Sequence, residues 1–150
     1  MEILNYTKQY EEKILEIDYE ALDIFDDRSL REKYRLKNIE SYFLGKNGEF
    51  YVLKVEGEII GMCGFIELNN KIVELVKFRI AKSKRDMGFG KKLLEFVEQQ
   101  IKRKGYEKII LNTSILRENT LRFYEKRGYV FKEERIIDEI KVIDYEKILL

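Results

Sequence analysis

The chain has no histidine, no proline and no tryptophan, and only one cysteine, among 150 residues. Without histidine there can be no Ser-His-Asp or Cys-His nucleophile system and no histidine-ligated metal site. Proton transfer must fall to Glu, Asp, Tyr, Lys, Cys or water. A lone cysteine excludes an intrachain disulfide and fits a reducing compartment. Cys63 lies in the apolar run Ile59 to Ile66, the setting of a core thiol rather than a nucleophile. That run is too short to cross a bilayer, which takes about 20 apolar residues. The charged N-terminal residues lack the apolar centre of a signal peptide. The expectation is a cytoplasmic protein with no membrane partner and no metal. Charge of one sign is scarce too. Lys and Arg number 29 against 28 Asp and Glu, for a net charge of +1, which argues against a dedicated nucleic-acid binder.

What is present describes an ordinary globular chain, 45% hydrophobic and 38% charged, long enough for one domain spanning 1–150. Glu2 to Tyr6 reads as a short strand. After Thr7 as N-cap, Tyr10, Ile14, Ile17, Ala21 and Leu22 recur at helical spacing. Ser29-Leu30-Arg31-Glu32 matches a capping box and predicts a second helix that turns Leu30, Tyr34 and Leu36 inward. From Lys46 the period changes. Phe50 to Val55, Ile59 to Leu68 and Ile72 to Ala81 alternate as strands around turns at Glu56-Gly57 and Asn69-Asn70, an antiparallel meander. A helix with Leu93, Leu94, Phe96 or Val97, and Ile101 inward ends in a basic turn at Lys104-Gly105. Ile109 to Leu111 then reads as a buried parallel strand. Asn119 to Lys126 forms a short helix stopped by Gly128. Strands follow from Tyr129 and from Val142 to Leu149, with a turn near Asp138-Glu139.

Ala81 to Leu94 (AKSKRDMGFGKKLL) is the stretch that points to chemistry. A strand, a glycine turn and a helix N-terminus together suit an anion, because the first helical N–H groups are unpaired and the dipole favours negative charge. It is not a P-loop, since Arg85 stands where the first glycine belongs and Lys92 where Ser or Thr should be. Nor is it a dinucleotide fingerprint, since Leu93 replaces the third glycine and the meander is wrong for a doubly wound sheet.

Two stretches together resemble the GNAT acyltransferase superfamily. Arg85-Asp86-Met87-Gly88-Phe89-Gly90 is similar to its [RQ]-x-x-G-x-[GA] pyrophosphate loop. Asn119 to Tyr129 is similar to its N-x-x-x-x-Y-x-K-x-G-[FY] segment, with Tyr124, Lys126 and Gly128 in place. The likeness covers essentially the whole chain and implies an α/β (α+β) fold: a mixed, largely antiparallel sheet flanked by helices. It also implies acetyl-CoA or a related acyl-CoA as donor. Backbone N–H groups from Met87 to Lys91 would wrap the pyrophosphate, with Gly88 and Gly90 permitting close approach. Arg85 and Lys91 or Lys92 would add charge. Main-chain groups of Phe78, Arg79 and Ile80 would pair with pantetheine, and Phe78 N–H would polarise the thioester carbonyl. Tyr124 would protonate the departing thiolate, Asn119 would bond pantetheine or cap its helix, and Glu74, or else Glu67, would be the base. The departure is Asp86, an acid where the family commonly has glycine.

The resemblance thus implies an N-acetyltransferase acting on a primary amine of a small molecule or protein, alternatively a non-catalytic acyl-CoA-binding sensor or assembly module. The apolar C-terminal strand could pair two copies in a homodimer. Glu16, Asp18, Glu20, Asp23, Asp26 and Asp27 cluster along the first two helices. They read either as a solvated face or as a border that draws a cationic acceptor.

Overall fold

The computed structural model describes residues Met1–Leu150. In chain order it contains β1 (Glu2–Asn5), α1 (Glu11–Ala21), α2 (Arg28–Tyr34), α3 (Ile39–Phe43), β2 (Glu49–Val55), β3 (Glu58–Glu67) and β4 (Ile72–Ile80). Then come α4 (Phe89–Arg103), β5 (Lys108–Ser114), α5 (Glu118–Lys126), β6 (Val130–Ile137) and β7 (Ile140–Ile148). The strands form one seven-stranded sheet in the order β1-β2-β3-β4-β5-β7-β6. Only β4 and β5 run parallel; every other pair is antiparallel. The mixed, largely antiparallel α/β architecture expected from the sequence is therefore the one observed.

Local chemistry accounts for the elements. The β2–β3 and β6–β7 hairpins turn at Glu56-Gly57 and Asp138-Glu139, all four with positive φ, the backbone sense that two-residue hairpin turns demand. Helix α4 buries Leu93, Leu94, Val97 and Ile101 on one stripe, so Val97 rather than Phe96 is the fully enclosed member. Gly105, at φ +95°, follows the C-terminus of α4 in the left-handed conformation a helix stop favours. At α2 the sequence expectation misplaces the start by two residues. Asp27, not Ser29, is the N-cap, and its carboxylate accepts from the Ser29 N–H at 2.8 Å. Helix α3, five residues long, is too short for periodicity to reveal.

The sheet separates two apolar layers. One face packs under α4 and α5, with Phe65, Leu75, Leu93, Ile109 and Tyr124 among its buried members. The other packs under α1 and α3, with Ile14, Ile17, Phe43, Phe50 and Met62. Cys63 is fully buried in the first layer, and burial pushes its thiol pKa up, which keeps it protonated.

Two irregularities in β4 open this sheet. Its parallel pairing with β5 covers only Ile72, Val73 and Glu74, opposite Lys108, Ile109 and Ile110. Beyond Glu74 the strands part. On the other edge the β3 register slips between Met62 and Gly64, and Lys77 takes a φ of +61°. That extra residue is a β-bulge, which bends the strand and increases its twist. From Leu75 to Ile80, β4 keeps β3 on one side and has no strand on the other.

Candidate active site

The gap between β4 and β5 opens into a cleft of about 1230 Å³. One end is the turn before α4. Gly88 has a φ of +86°, and a Cβ built on it would meet nothing within 4 Å, so its conformation rather than crowding calls for glycine. No N–H from Asp86 to Lys91 donates to a backbone carbonyl, and the first local bond of the helix runs from Lys92 N–H to the Gly88 carbonyl. These free N–H groups open α4, fifteen residues long, whose dipole favours an anion there. Arg85, Gly88, Gly90 and Lys91 all line the cleft. Asp86 lines it as well. Its φ of +61° explains why glycine suits the position and why Asp, which tolerates the left-handed region better than most residues, can replace it.

Glu74 stands where the strands part. It is the last residue of β4 to pair with β5, opposite Ile110, and it lines the cleft. Burial raises its carboxyl pKa above the ordinary range, with nearby Arg135 and Lys46 pulling it down and Asp144 pushing it up. Arg135 itself is held by Asp144 through two hydrogen bonds, so it leaves Glu74 without a dedicated partner. Tyr124, 5% exposed, lies across the cleft on α5 among Phe78, Phe123, Tyr129 and Tyr145. Burial raises its phenol pKa, outweighing Arg79 and Arg117, so it keeps its proton through the neutral range. The Phe78 ring stacks on Phe123 with centroids 5.4 Å apart, which fixes the β4 main chain relative to α5. Between them, a carboxylate able to take a proton and a phenol able to give one face the same cavity.

The remaining expected residues divide. Phe78, Arg79, Ile80 and Asn119 line the cleft, whereas Met87, Phe89, Lys126 and Glu67 do not. Met87 is 63% exposed, Phe89 packs against the α4-side core and Lys126 points to solvent. Glu67 is engaged elsewhere, accepting from Asn47 Nδ2 at 2.8 Å and Tyr106 OH at 2.9 Å.

Several residues of the site have no sequence motif. Asp18, 1% exposed on α1, pairs with Lys77 Nζ at 3.0 Å and Arg79 Nε at 3.4 Å, and accepts from the Leu36 N–H at 2.6 Å. One buried carboxylate thus ties α1, the chain after α2 and the β4 bulge together. Arg117, just before α5, reaches across to the Ala21 carbonyl at 2.8 Å. Arg127 lies over the Phe123 ring at 4.0 Å, with its buried Nε unpartnered. Lys33 and Tyr34 of α2 both hold Asp138 in the β6–β7 turn, Lys33 at 2.8 Å, and so bridge two flanks of the cleft. None of the acidic cluster of the N-terminal helices lines the cleft, and four of its six members are engaged in the fold. Asp18 is buried, Glu20 accepts from the Lys82 N–H, Asp23 pairs with the Lys82 side chain and Asp27 caps α2.

A profile described as the Acetyltransferase (GNAT) family matches residues 12–129, most of the chain. The chain belongs to that family. Among curated relatives, it is 25% identical over 115 residues to a mouse protein described as probable N-acetyltransferase family 8 member 5, an overlap covering 73% of this chain and 50% of that one. It is 30% identical over 98 residues to probable N-acetyltransferase 14 of Xenopus tropicalis, covering 63% and 47% respectively. The chain spans about half the length of the curated relatives it matches. Among solved structures, a GNAT-family acetyltransferase from Staphylococcus aureus Mu50 superposes with a TM-score of 0.82 at 25% identity, over 99% of each chain. An aminoglycoside 6'-N-acetyltransferase complexed with coenzyme A shares the fold at a TM-score of 0.79 and 17% identity, over 100% of this chain and 98% of that one. No helix is long and apolar enough to cross a membrane.

Proposed function

We propose that the protein transfers an acetyl group from acetyl-CoA to a primary amine by direct attack on the thioester. The observation that carries this reading is the parting of β4 from β5 at Glu74, with the unpaired turn Asp86 to Lys91 at one end of the gap and Tyr124 lining it. The free edge of β4 from Leu75 to Ile80 suits an extended pantetheine arm, which would add to the sheet as a strand does. The N–H groups that open α4 suit the pyrophosphate, with Arg85 and Lys91 beside it. An N–H of the strand near Phe78 would meet the carbonyl oxygen as charge develops there.

The amine nitrogen forms its bond to the carbonyl carbon while the carbon–sulfur bond breaks. The proton lost by the amine goes to Glu74, directly or through water. The proton gained by the thiolate comes from Tyr124. Both assignments match the directions in which burial shifts these groups, the carboxyl toward a stronger base and the phenol toward a retained proton. Holding the two reactants together supplies much of the rate, so few side chains are needed. The test is thiol release from acetyl-CoA across a panel of primary amines, with acetyl-CoA binding measured in parallel. Amine-dependent release is expected. Tight binding with no turnover of any amine would replace the transferase with a non-catalytic acyl-CoA-binding module.

A further inference from the structure

The walls of the cleft carry far more positive charge than the donor needs. Eleven Lys and Arg side chains line it against two carboxylates, Glu74 and Asp86. Lys84, Arg85 and Lys91 sit at the turn before α4 and can meet the donor's phosphates. Of the others, Lys33 is matched by Asp138, Arg35 by Glu32, and Lys77 with Arg79 share the single carboxylate of Asp18. Lys37, Lys46, Arg117 and Arg127 are matched by no carboxylate, and Arg127 is held at the Phe123 carbonyl and over the Phe123 ring. Lys46 lies over the Tyr42 ring at 4.2 Å, and its charge is felt at Glu74. Arg117 makes one hydrogen bond, to the Ala21 carbonyl, although a guanidinium offers five N–H groups. Its charge is felt at Tyr124. Of the four unmatched cations, Lys46 and Arg117 are therefore the two whose charge reaches the groups assigned to proton transfer.

We propose that the acceptor is an amine carrying an anionic group, most simply a carboxylate, close to its reacting nitrogen, and that Lys46 and Arg117 select it. Such a molecule offers its ammonium to Glu74 and its anion to Lys46 and Arg117, whereas a polyamine would place like charges together. Burial first, and then the neighbouring charges of Arg79 and Arg85, lower the pKa of the Arg117 guanidinium to about 9, with Asp23 and Tyr124 opposing. This inference rests on the transferase reading for its chemistry, but the charge selection concerns binding and can be measured without turnover.

The test uses pairs of primary amines that differ only in carboxylate against carboxamide, with spermidine as a cationic control. Each is titrated by calorimetry into the protein loaded with CoA, and each is assayed for thiol release at equal concentrations of free amine. A charge-assisted hydrogen bond that the amide cannot reproduce predicts roughly tenfold tighter binding of the carboxylate member. In Lys46→Gln and Arg117→Gln that ratio falls toward one, while Lys46→Arg keeps most of it. Equal binding of acid and amide, or preference for spermidine, overturns the proposal. So does a wild-type preference that neither Gln variant diminishes. Selective carboxylate binding without thiol release would sink the transferase reading and leave the charge selection standing. Turnover confined to amides or polyamines would do the reverse.

Discussion

The two ends of the cleft are built by different means. The end at the turn before α4 is main chain from one continuous stretch, Asp86 to Lys91, shaped by a left-handed Gly88 and a left-handed Asp86. The end toward α1 and α2 is side chain, assembled from Asp18, Tyr34, Lys77, Arg117 and Asp138 by contacts that span 43 to 105 residues of sequence. A main-chain site survives most substitutions because every residue supplies the same N–H. A side-chain site fails when one member is removed, because its partners stay behind uncompensated. The two ends should therefore respond differently to mutation.

The largest effect is expected at Asp18. Asp18→Ala leaves Lys77 and Arg79 facing each other with no anion and strips the Leu36 N–H of its acceptor. Removing one partner of such a buried pair costs roughly 3–5 kcal/mol, measurable by urea unfolding. Asp18→Asn keeps an acceptor for Leu36 and loses only the charge, so its cost should be smaller. A loss below about 1 kcal/mol in Asp18→Ala would mean that the end toward α1 and α2 is no more fragile than the turn.

Tyr124→Phe comes next and bears on chemistry rather than folding. Tyr124 lines the cleft, and removing its hydroxyl leaves the aromatic cluster around it intact. Loss of a positioned proton donor lowers kcat by roughly 10²–10³, with binding of acetyl-CoA and the unfolding midpoint nearly unchanged. Because burial raises the phenol pKa, the wild-type rate should show no alkaline fall at the value of an ordinary tyrosine, about 10. An unaltered kcat across the pH range would remove Tyr124 from the mechanism.

At Glu74 the expected loss is somewhat smaller, because water can carry part of the proton traffic. Glu74→Gln should lower kcat/KM by roughly a hundredfold. The pH profile is the sharper readout. The carboxylate must be ionised to accept a proton, and burial raises its pKa. Activity should therefore fall as pH drops, beginning above the ordinary glutamate value of about 4.3. The limb should vanish in the Gln variant. A limb that persists there belongs to another group.

How much of this was legible in the sequence follows the same division. The turn before α4 could be read because its glycines and the helix after it are consecutive. The hairpins could be read because Glu56-Gly57 and Asp138-Glu139 are turn residues between alternating runs. The bulge at Lys77 could not, since neither glycine nor proline marks it and a lysine at positive φ is held there by tertiary structure. The acids of the first helices were legible as a cluster but not as partners. Whether an acid faces solvent or a buried lysine is decided by what packs against it, and Lys77 and Lys82 lie some sixty residues away. Asp18 did leave a trace, being a carboxylate on the same stripe as Ile14, Ile17 and Ala21, where an acid needs a partner. The cap of α2 failed for a smaller reason, because Asp27 and Ser29 are both good capping residues two positions apart.

The smallest effect is expected at Asp86, where the main-chain end carries its one unfavourable side chain. Its φ of +61° strains any residue with a Cβ, and it puts an acid into the turn whose free N–H groups attract anions. Asp86→Gly relieves the backbone and removes the charge, although glycine gives back part of the gain through the entropy of the unfolded chain. The net expectation is a stabilisation of roughly 0.5–1 kcal/mol together with tighter CoA binding. Asp86→Ala separates the two causes, since it removes the charge and keeps the Cβ. If strain matters, the alanine variant is less stable than the glycine variant. If charge matters, both bind CoA more tightly at low salt, and the advantage shrinks as the ionic strength rises toward 1 M, where charges are screened within about 3 Å. A glycine variant no more stable than alanine would dismiss the strain, and salt-independent affinities would dismiss the charge. Either result would make the turn as indifferent to its side chains as a purely main-chain site should be.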